Sequence, residues 1–474
     1  MCNWNYIIIE LMHRPLDYLP VEWRPVVVIV GGVLVQISLG VGFSIGNMIP
    51  YFVSYLRTRV DPSMDYSMTT WMPALASLGY GASTVLGGYM ESRIGVRLTV
   101  IIGSTFTSGW IALSYFTLQQ SFWLLAFSYS FCFGFGSGMA YMPPVIIVTR
   151  WLPHMKGLAV GCIVAGYASG AIVWDQVETF YINPTDLKPD LIDGQNRYFT
   201  QPEILDQVPW CCVVIGGACI LLQFFGCLLL FEPSQEDREH IQTKLAKTKV
   251  GDDHQRDLGP RGIMKTWAFY ALLTSYGAAV FALAIFNSGW KTYGTSLDYG
   301  DQFLATTGSI SSVFNTLGRL FWGYMGDKLS YQSSMTCTCV LYGAFMTSLL
   351  LSSILGQMFY LVWVCGIFFC FGGVPALVPL AVSRCFGHLH FGLNISFIYM
   401  GQTLSAILSA VTAQILMNIL HIEGMFLLAG CFPYIAAFLT MTLTCSKYGY
   451  RSDPEELAAI KIVDHDYNEH LYTA

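Results

Sequence analysis

Twelve apolar stretches, each long enough for a helix that crosses a bilayer, run through this chain: 26–52, 68–90, 98–118, 122–148, 157–177, 209–231, 266–289, 303–325, 334–355, 357–382, 393–417 and 424–446. A spanning helix needs about 20 mostly apolar residues, and no water-soluble core of 474 residues could absorb twelve of them. Charged residues make up only 11% of the chain and hydrophobic ones 54%, whereas a soluble domain carries about 25% charged residues. The expected fold class is an all-α membrane protein with twelve transmembrane helices. A cytosolic enzyme, a secreted disulfide scaffold and a nucleic-acid binder are excluded, and the net charge of −6 argues against any polyanionic partner.

The polar segments divide the spans into six plus six. They give a cytoplasmic N-terminal segment 1–25, an N-terminal half 26–231, a solvated linker 232–265 rich in Glu, Asp, Lys and Arg, a C-terminal half 266–446 and a tail 447–474. Linker and tail are too short for a further folded domain. Residues 6–12 are apolar but interrupted by Glu10, with no basic start and no small-residue cleavage site, so no signal peptide is expected. With both termini and the linker inside, 18 of the 24 Lys and Arg face the cytoplasm, five face outward and Arg319 lies in a span. This asymmetry sets the expected topology. The 14 cysteines lie mostly in apolar runs, where Cys acts as a small hydrophobe. No spacing suggests a metal, and no cofactor is expected.

The halves repeat. Gly88-Tyr89-Met90-Glu91-Ser92-Arg93-Ile94-Gly95 follows the second span, and Gly323-Tyr324-Met325-Gly326-Asp327-Lys328-Leu329-Ser330 follows the eighth. Arg150 and His154 after the fourth span match Arg384 and His388 after the tenth. Two similar six-helix halves are the usual architecture of a secondary transporter, with the substrate between them.

Charge inside the spans is the strongest pointer to chemistry, because it costs about 2.5–3.5 kcal/mol per residue on insertion scales. Only Asp175, near the end of the fifth span, and Arg319, within the eighth, fall inside the twelve stretches. Arg319 cannot shed its charge, and Ser311, Ser312 and Asn315 before it suggest a wet helix face that could bind a carboxylate. The alternative is that Arg319 snorkels to the surface or pairs with Asp327. On the eleventh span Tyr399, Gln402 and Ser405 recur every three residues and share a face; helix–helix hydrogen bonding is their competing explanation. Gly134, Gly136, Gly138, Gly161, Gly166 and Gly170 read as close helix packing. No P-loop or HExxH motif is present and no GxSxG has a plausible His partner, so neither an ATP-driven pump nor a hydrolase is expected. No Asp, Glu or His is expected in mid-span as a proton relay.

Several of these segments resemble one family. Gly88-x-x-x-Ser92-Arg93-x-Gly95-x-Arg97 is similar to the loop signature of the major facilitator superfamily. Phe314-Asn315-Thr316-Leu317-Gly318-Arg319-Leu320-Phe321-Trp322-Gly323, with Asp327-Lys328 following, resembles the eighth-helix motif of its oxalate/formate antiporter group, related to monocarboxylate transporters. Gly136-x-Gly138-x-x-Tyr141, the run Arg150–Ala159, Ala165-Gly166-Tyr167 and Phe371-Gly372-Gly373 are similar to the same group. The resemblance implies that Arg319 binds a substrate carboxylate, that Tyr141, Tyr167, Phe371 and Tyr399 line the cavity, and that Gly88, Arg93, Gly95, Arg97, Gly323, Asp327 and Lys328 form gating loops. Three positions depart from it. A second cavity Lys matches Gln402, a tenth-helix Tyr matches Pro375, and the signature Asp after helix two matches Ser92, with Glu91 beside it.

One fixed cation suits a monoanion. The expected function is therefore secondary transport of small organic anions, most simply monocarboxylates, by alternating access in the plasma membrane. The partners are the substrate anion, the bilayer and a coupling proton or counter-anion. A carrier of another organic solute and a non-transporting solute sensor on the same fold remain open, as does any accessory subunit. The loop 178–208, on the expected outer face, has no evident purpose.

Overall fold

Proline, glycine and serine mark where the helices start, break and stop. The computed structural model describes residues 19–185, 187–193, 196–247, 257–387, 389–443, 445–446 and 449–450. Most of the segment 1–25, linker residues 248–256, His388 and most of the tail 447–474 lie outside them.

The helices are α1 Arg24–Leu39, α2 Ile45–Arg59, α3 Trp71–Ile94, α4 Val96–Leu118, α5 Phe122–Trp151, α6 Lys156–Ile182, α7 Gln207–Leu229, α8 Gln235–Lys247, α9 Trp267–Ser296, α10 Asp301–Lys328, α11 Tyr331–Leu355, α12 Gln357–Phe386, α13 Phe391–Leu416 and α14 Ile419–Thr442. Among the described residues, ten helices are both long and apolar enough to cross a membrane. The other two spans are α3 and α10, of 24 and 28 residues, long enough but less apolar. They are the second helix of each half, the pair that carries the repeated motif. The chain is an all-α, twelve-span membrane protein.

Two compact units form. The first holds the described residues up to Leu152 together with Gly166–Gln242; the second holds Pro153–Ala165 and the described residues from Thr243 onward. The first turns of α6 thus belong with the second unit and the rest with the first.

In the first unit the stretch 26–52, expected to be one span, is two helices joined by a 3-10 turn, Gly40–Phe43, and Ser44. α6 approaches closely at the break: a Cβ on Gly40 would lie 2.5 Å from the Tyr167 carbonyl oxygen. α5 is interrupted twice, by a π-helical segment Ala126–Cys132 and at Tyr141, just before Pro143 and Pro144, which have no N–H for the ladder. Between α6 and α7 the chain forms a hairpin of β1 Leu191–Asp193 and β2 Asn196–Tyr198. It is tied down by Arg57–Asp193 (2.6 Å) and by Phe199 N–H donating to Ser54 Oγ (3.0 Å), while Arg59–Asp206 (3.1 Å) anchors the start of α7.

The linker is not uniformly solvated. Ser234 and Asp237 form a reciprocal capping box, Ser234 N–H to Asp237 Oδ2 at 3.0 Å and Asp237 N–H to Ser234 Oγ at 3.2 Å. This starts α8, and Asp237, buried, also holds Arg24 at 2.8 Å.

In the second unit α9 starts on a Thr266 cap, whose hydroxyl accepts from Phe269 N–H. The backbone kinks at His421, at φ +53°, in the first turn of α14. Gly387, at φ +82°, ends α12.

Candidate functional site

Each unit contributes its own set of the expected residues. In the first, Tyr141 stands at the second interruption of α5, and Gln36 Nε2 of α1 donates to its carbonyl at 2.9 Å. The Tyr141 and Tyr167 rings meet edge to face with centroids 5.0 Å apart, Tyr80 packs on Tyr141 at 6.0 Å and Phe43 on Tyr167 at 4.9 Å. The two tyrosines therefore form one aromatic cluster, an arrangement that rings favour.

In the second unit Arg319 on α10 is 2% exposed. Its Nε donates to Asn315 Oδ1 at 3.3 Å, one turn back, and its Nη1 to the Val164 carbonyl at 2.8 Å. Nη2 donates no hydrogen bond among the described residues, and Arg319 has no acidic partner among them. Asp327 is engaged elsewhere: its two carboxylate oxygens accept from Gly157 N–H and Leu158 N–H, both at 2.8 Å, so it caps the α6 N-terminus. Glycines allow these approaches. A Cβ on Gly161 would lie 2.5 Å from the Arg319 carbonyl oxygen, and one on Gly372 would lie 2.4 Å from that of Asn315. The Ser311 and Ser312 hydroxyls donate to the Gly308 carbonyl of their own helix, so they are not bare polar groups on a wet face.

Gln402 Oε1 accepts from Tyr276 OH of α9 at 2.7 Å. The rings of Tyr276 and Tyr399 are 4.6 Å apart, and Ser405 Oγ donates to the Gly277 carbonyl at 2.8 Å. The shared face of Tyr399, Gln402 and Ser405 is thus turned to α9, and Tyr276 enters the set although its sequence context did not mark it. The Tyr399 hydroxyl donates to the Pro375 carbonyl at 3.2 Å. That carbonyl lacks its helical donor because Pro379, four residues on, has no N–H. Phe371, one turn before Pro375, packs on Tyr342 at 6.3 Å.

The signature residues divide by role. Gly95, at φ +83°, makes the turn between α3 and α4, where a side chain would be strained. Gly88 is buried in α3. Arg97 caps α7 by donating to the carbonyls of Cys227 (2.7 Å) and Leu228 (2.6 Å). Arg93 and Lys328 sit over the rings of Tyr89 and Tyr324, both at 5.5 Å. A Cβ on Gly323 would lie 2.3 Å from the Gly157 carbonyl oxygen. Ser92 bonds its own helix, and the acid that works here is Glu91, which holds Arg150 at 2.6 Å while Arg150 also reaches Glu232.

The fifth span carries a buried acid that the expected bounds left outside it. α6 runs past the expected end at 177, to Ile182, and Glu178 on it is fully buried against Ser44 and Asn47.

The sequence matches the Major Facilitator Superfamily over residues 28–174 and 272–462. It is 25% identical to apicoplast pyruvate carrier 1 of Toxoplasma gondii, over 90% of this chain and 89% of that one. It is 22% identical to the oxalate:formate antiporter of Oxalobacter formigenes, over 68% and 69%. The structure superposes on a proton:xylose symporter of the same superfamily bound to 6-bromo-6-deoxy-D-glucose, with a TM-score of 0.68 at 17% identity over 89% of this chain and 95% of that one. With twelve helices in two repeated halves and a match over most of its length, this chain belongs to the Major Facilitator Superfamily and is a multi-pass membrane transporter, not an enzyme.

Proposed function

We propose that the protein carries small organic monoanions of the monocarboxylate class by alternating access, with Arg319 as the anchor for the substrate carboxylate. The observation that carries this reading is a guanidinium buried to 2% exposure, with no acidic partner among the described residues and with Nη2 uncommitted. Arg keeps its charge under all working conditions, and a buried charge without a counter-charge costs several kcal/mol. A carboxylate supplies that counter-charge and matches the guanidinium fork. Asn315 and the Val164 carbonyl fix the fork, so little side-chain freedom is lost on binding.

Gln402 gives the monoanion preference. Tyr276 holds its oxygen, which leaves the amide nitrogen as a neutral donor, and a second substrate carboxylate would find no second cation there. Tyr141, Tyr167, Phe371 and Tyr399 supply aromatic surface for the rest of the ligand. Relatives named as a pyruvate carrier and an oxalate:formate antiporter support a carboxylate substrate. The Lys and Arg asymmetry supports an orientation with both termini on the cytoplasmic side.

The test is uptake by purified protein in proteoliposomes, with labelled lactate, pyruvate, formate and oxalate in parallel. Saturable uptake of a monoanion is expected. Oxalate outcompeting every monoanion would overturn the monoanion preference, and no movement of any carboxylate would overturn the carboxylate reading.

A further inference from the structure

The first unit buries a carboxylate that the anion site does not use. Glu178 is 0% exposed. Its Oε1 lies 2.5 Å from Ser44 Oγ, and its Oε2 accepts from Asn47 Nδ2 at 3.0 Å. Both partners stand at the break between α1 and α2. Among the described residues no Lys, Arg or His pairs with Glu178. The titratable groups around it are Asp175, one turn back on α6, Tyr129 on the π-helical segment of α5, and Cys211, Cys212 and Cys219 on α7. None of these brings a positive charge. Asp175 Oδ1 and the Tyr129 hydroxyl are themselves buried without a hydrogen-bond partner.

A carboxylate removed from water with no cation beside it is costly as an anion, and the counter-charge that fits so packed a place is a proton. The Ser44 hydroxyl is arranged to accept either state. It has one hydrogen and two lone pairs, and its oxygen lies 2.9 Å from the Val41 carbonyl as well as 2.5 Å from Glu178. A carbonyl can only accept. With the hydroxyl hydrogen on Val41, the contact to Glu178 is a hydrogen bond only when the carboxyl group carries the proton. With the carboxyl ionised, the hydroxyl turns and donates to it. Val41 then still accepts Ser44 N–H at 3.1 Å, so no backbone acceptor is stripped. One bond rotation satisfies both states.

A cavity reaches one of the two partners of Glu178. Asn47 lines a cavity of about 450 Å³ whose wall includes Tyr66, Arg197 and Phe199, beside the hairpin between α6 and α7. Burial pushes the Tyr66 hydroxyl up to about 12, and it donates to the Arg197 carbonyl at 2.8 Å, so it does not compete for protons in the working range. We propose that Glu178 is a proton-binding site, loaded from this cavity past Asn47, and that its proton moves in the same cycle as the anion. The second clause rests on the anion-transport reading above; the first does not.

The experiment compares full-length wild type with Glu178→Gln, which keeps the shape and hydrogen bonding of the protonated acid. Infrared spectra of the purified proteins are titrated with pH. Wild type minus variant should show the carbonyl stretch of a protonated carboxylic acid, lost as pH rises. Identical spectra at every pH overturn the proton site. Ser44→Ala removes a donor to the ionised form and an acceptor for the protonated one; the bond to the charged form is the stronger, so the titration should move to higher pH, and an unmoved midpoint overturns the hydroxyl switch. In proteoliposomes, with the monoanion best transported in the panel, Glu178→Gln should cut accumulation driven by a pH gradient about tenfold, while exchange at equal pH stays near wild type. Gradient-driven accumulation at the wild-type level overturns the coupling, and so does loss of exchange in a variant that still unfolds at the wild-type temperature. The infrared readout needs no substrate, so failure of the anion reading and failure of the proton site are separate results.

Discussion

The first unit buries an acid with no base, and the second buries a base with no acid. Glu178 and Arg319 are 0% and 2% exposed and neither has an ion pair among the described residues. The same physical problem has different solutions because the two groups differ in chemistry. A carboxylate can take up a proton, whereas a guanidinium cannot release one. The first side chain is therefore suited to hold a proton and the second to wait for an anion. Several other buried or half-buried charges are paired or capped: Arg24 with Asp237, Arg150 with Glu91 and Glu232, and Asp327 with the first N–H groups of α6. These hold the scaffold, a role that Glu178 and Arg319 do not share.

The comparison can be broken first at its stronger end. Arg319→Ala should weaken substrate binding by about 2–5 kcal/mol, the usual cost of truncating one partner of a buried charge pair, which is roughly 30-fold or more in the concentration giving half-maximal uptake. The variant should still reach the membrane and unfold at the wild-type temperature; normal uptake would show that the arginine is only structural. Gln402→Lys adds the second cation that the second unit lacks. Competition by oxalate relative to lactate should improve by about tenfold, or about 1.4 kcal/mol, in the same vesicle assay, and an unchanged ratio would remove Gln402 from the selectivity argument. Tyr399→Phe uncovers the Pro375 carbonyl and should lower stability by about 1–3 kcal/mol, the cost of a buried acceptor left unsatisfied, seen as a lower unfolding temperature in detergent. Ser92→Asp restores the signature acid on an exposed position and should change stability by less than about 0.5 kcal/mol, because Glu91 already holds Arg150.

Most of the architecture was legible in the chain. Apolar length alone marks the spans, and the repeat after the second and eighth marks the halves. Arg319 stood out because a lone charge in an apolar run is rare. Glu178 did not, since the fifth stretch was closed at 177, where Glu178 and Thr179 follow Asp175 and look like the start of a loop. The apolar Phe180, Tyr181 and Ile182 just beyond were the available signal that the helix continues. The break at Gly40 coincides with a contact to α6, a tertiary feature that no local pattern announces, although Gly40, Gly42, Ser44 and Asn47 ahead of Pro50 are unusual in an apolar run. Helix α8 was readable: Ser234-Gln235-Glu236-Asp237 has the spacing of a helix start, but the density of charge around it suggested only solvated chain. Tyr276 was missed because one tyrosine among many apolar residues carries no mark of its own until Gln402 is seen beside it.

Helix α12 has two rungs missing from its ladder, at Pro375 and Pro379, and the replacement for one belongs to a different helix. The Pro375 carbonyl is satisfied by the Tyr399 hydroxyl of α13, so that acceptor is covered only while the neighbour stays alongside. Sliding α13 by the length of a hydrogen bond would expose a bare acceptor in α12, and bending α12 at its prolines would pull on Tyr399. The two helices are thus fastened at one point, and any motion that reaches Gln402, one turn further along α13, is shared with the stretch of α12 that carries Phe371.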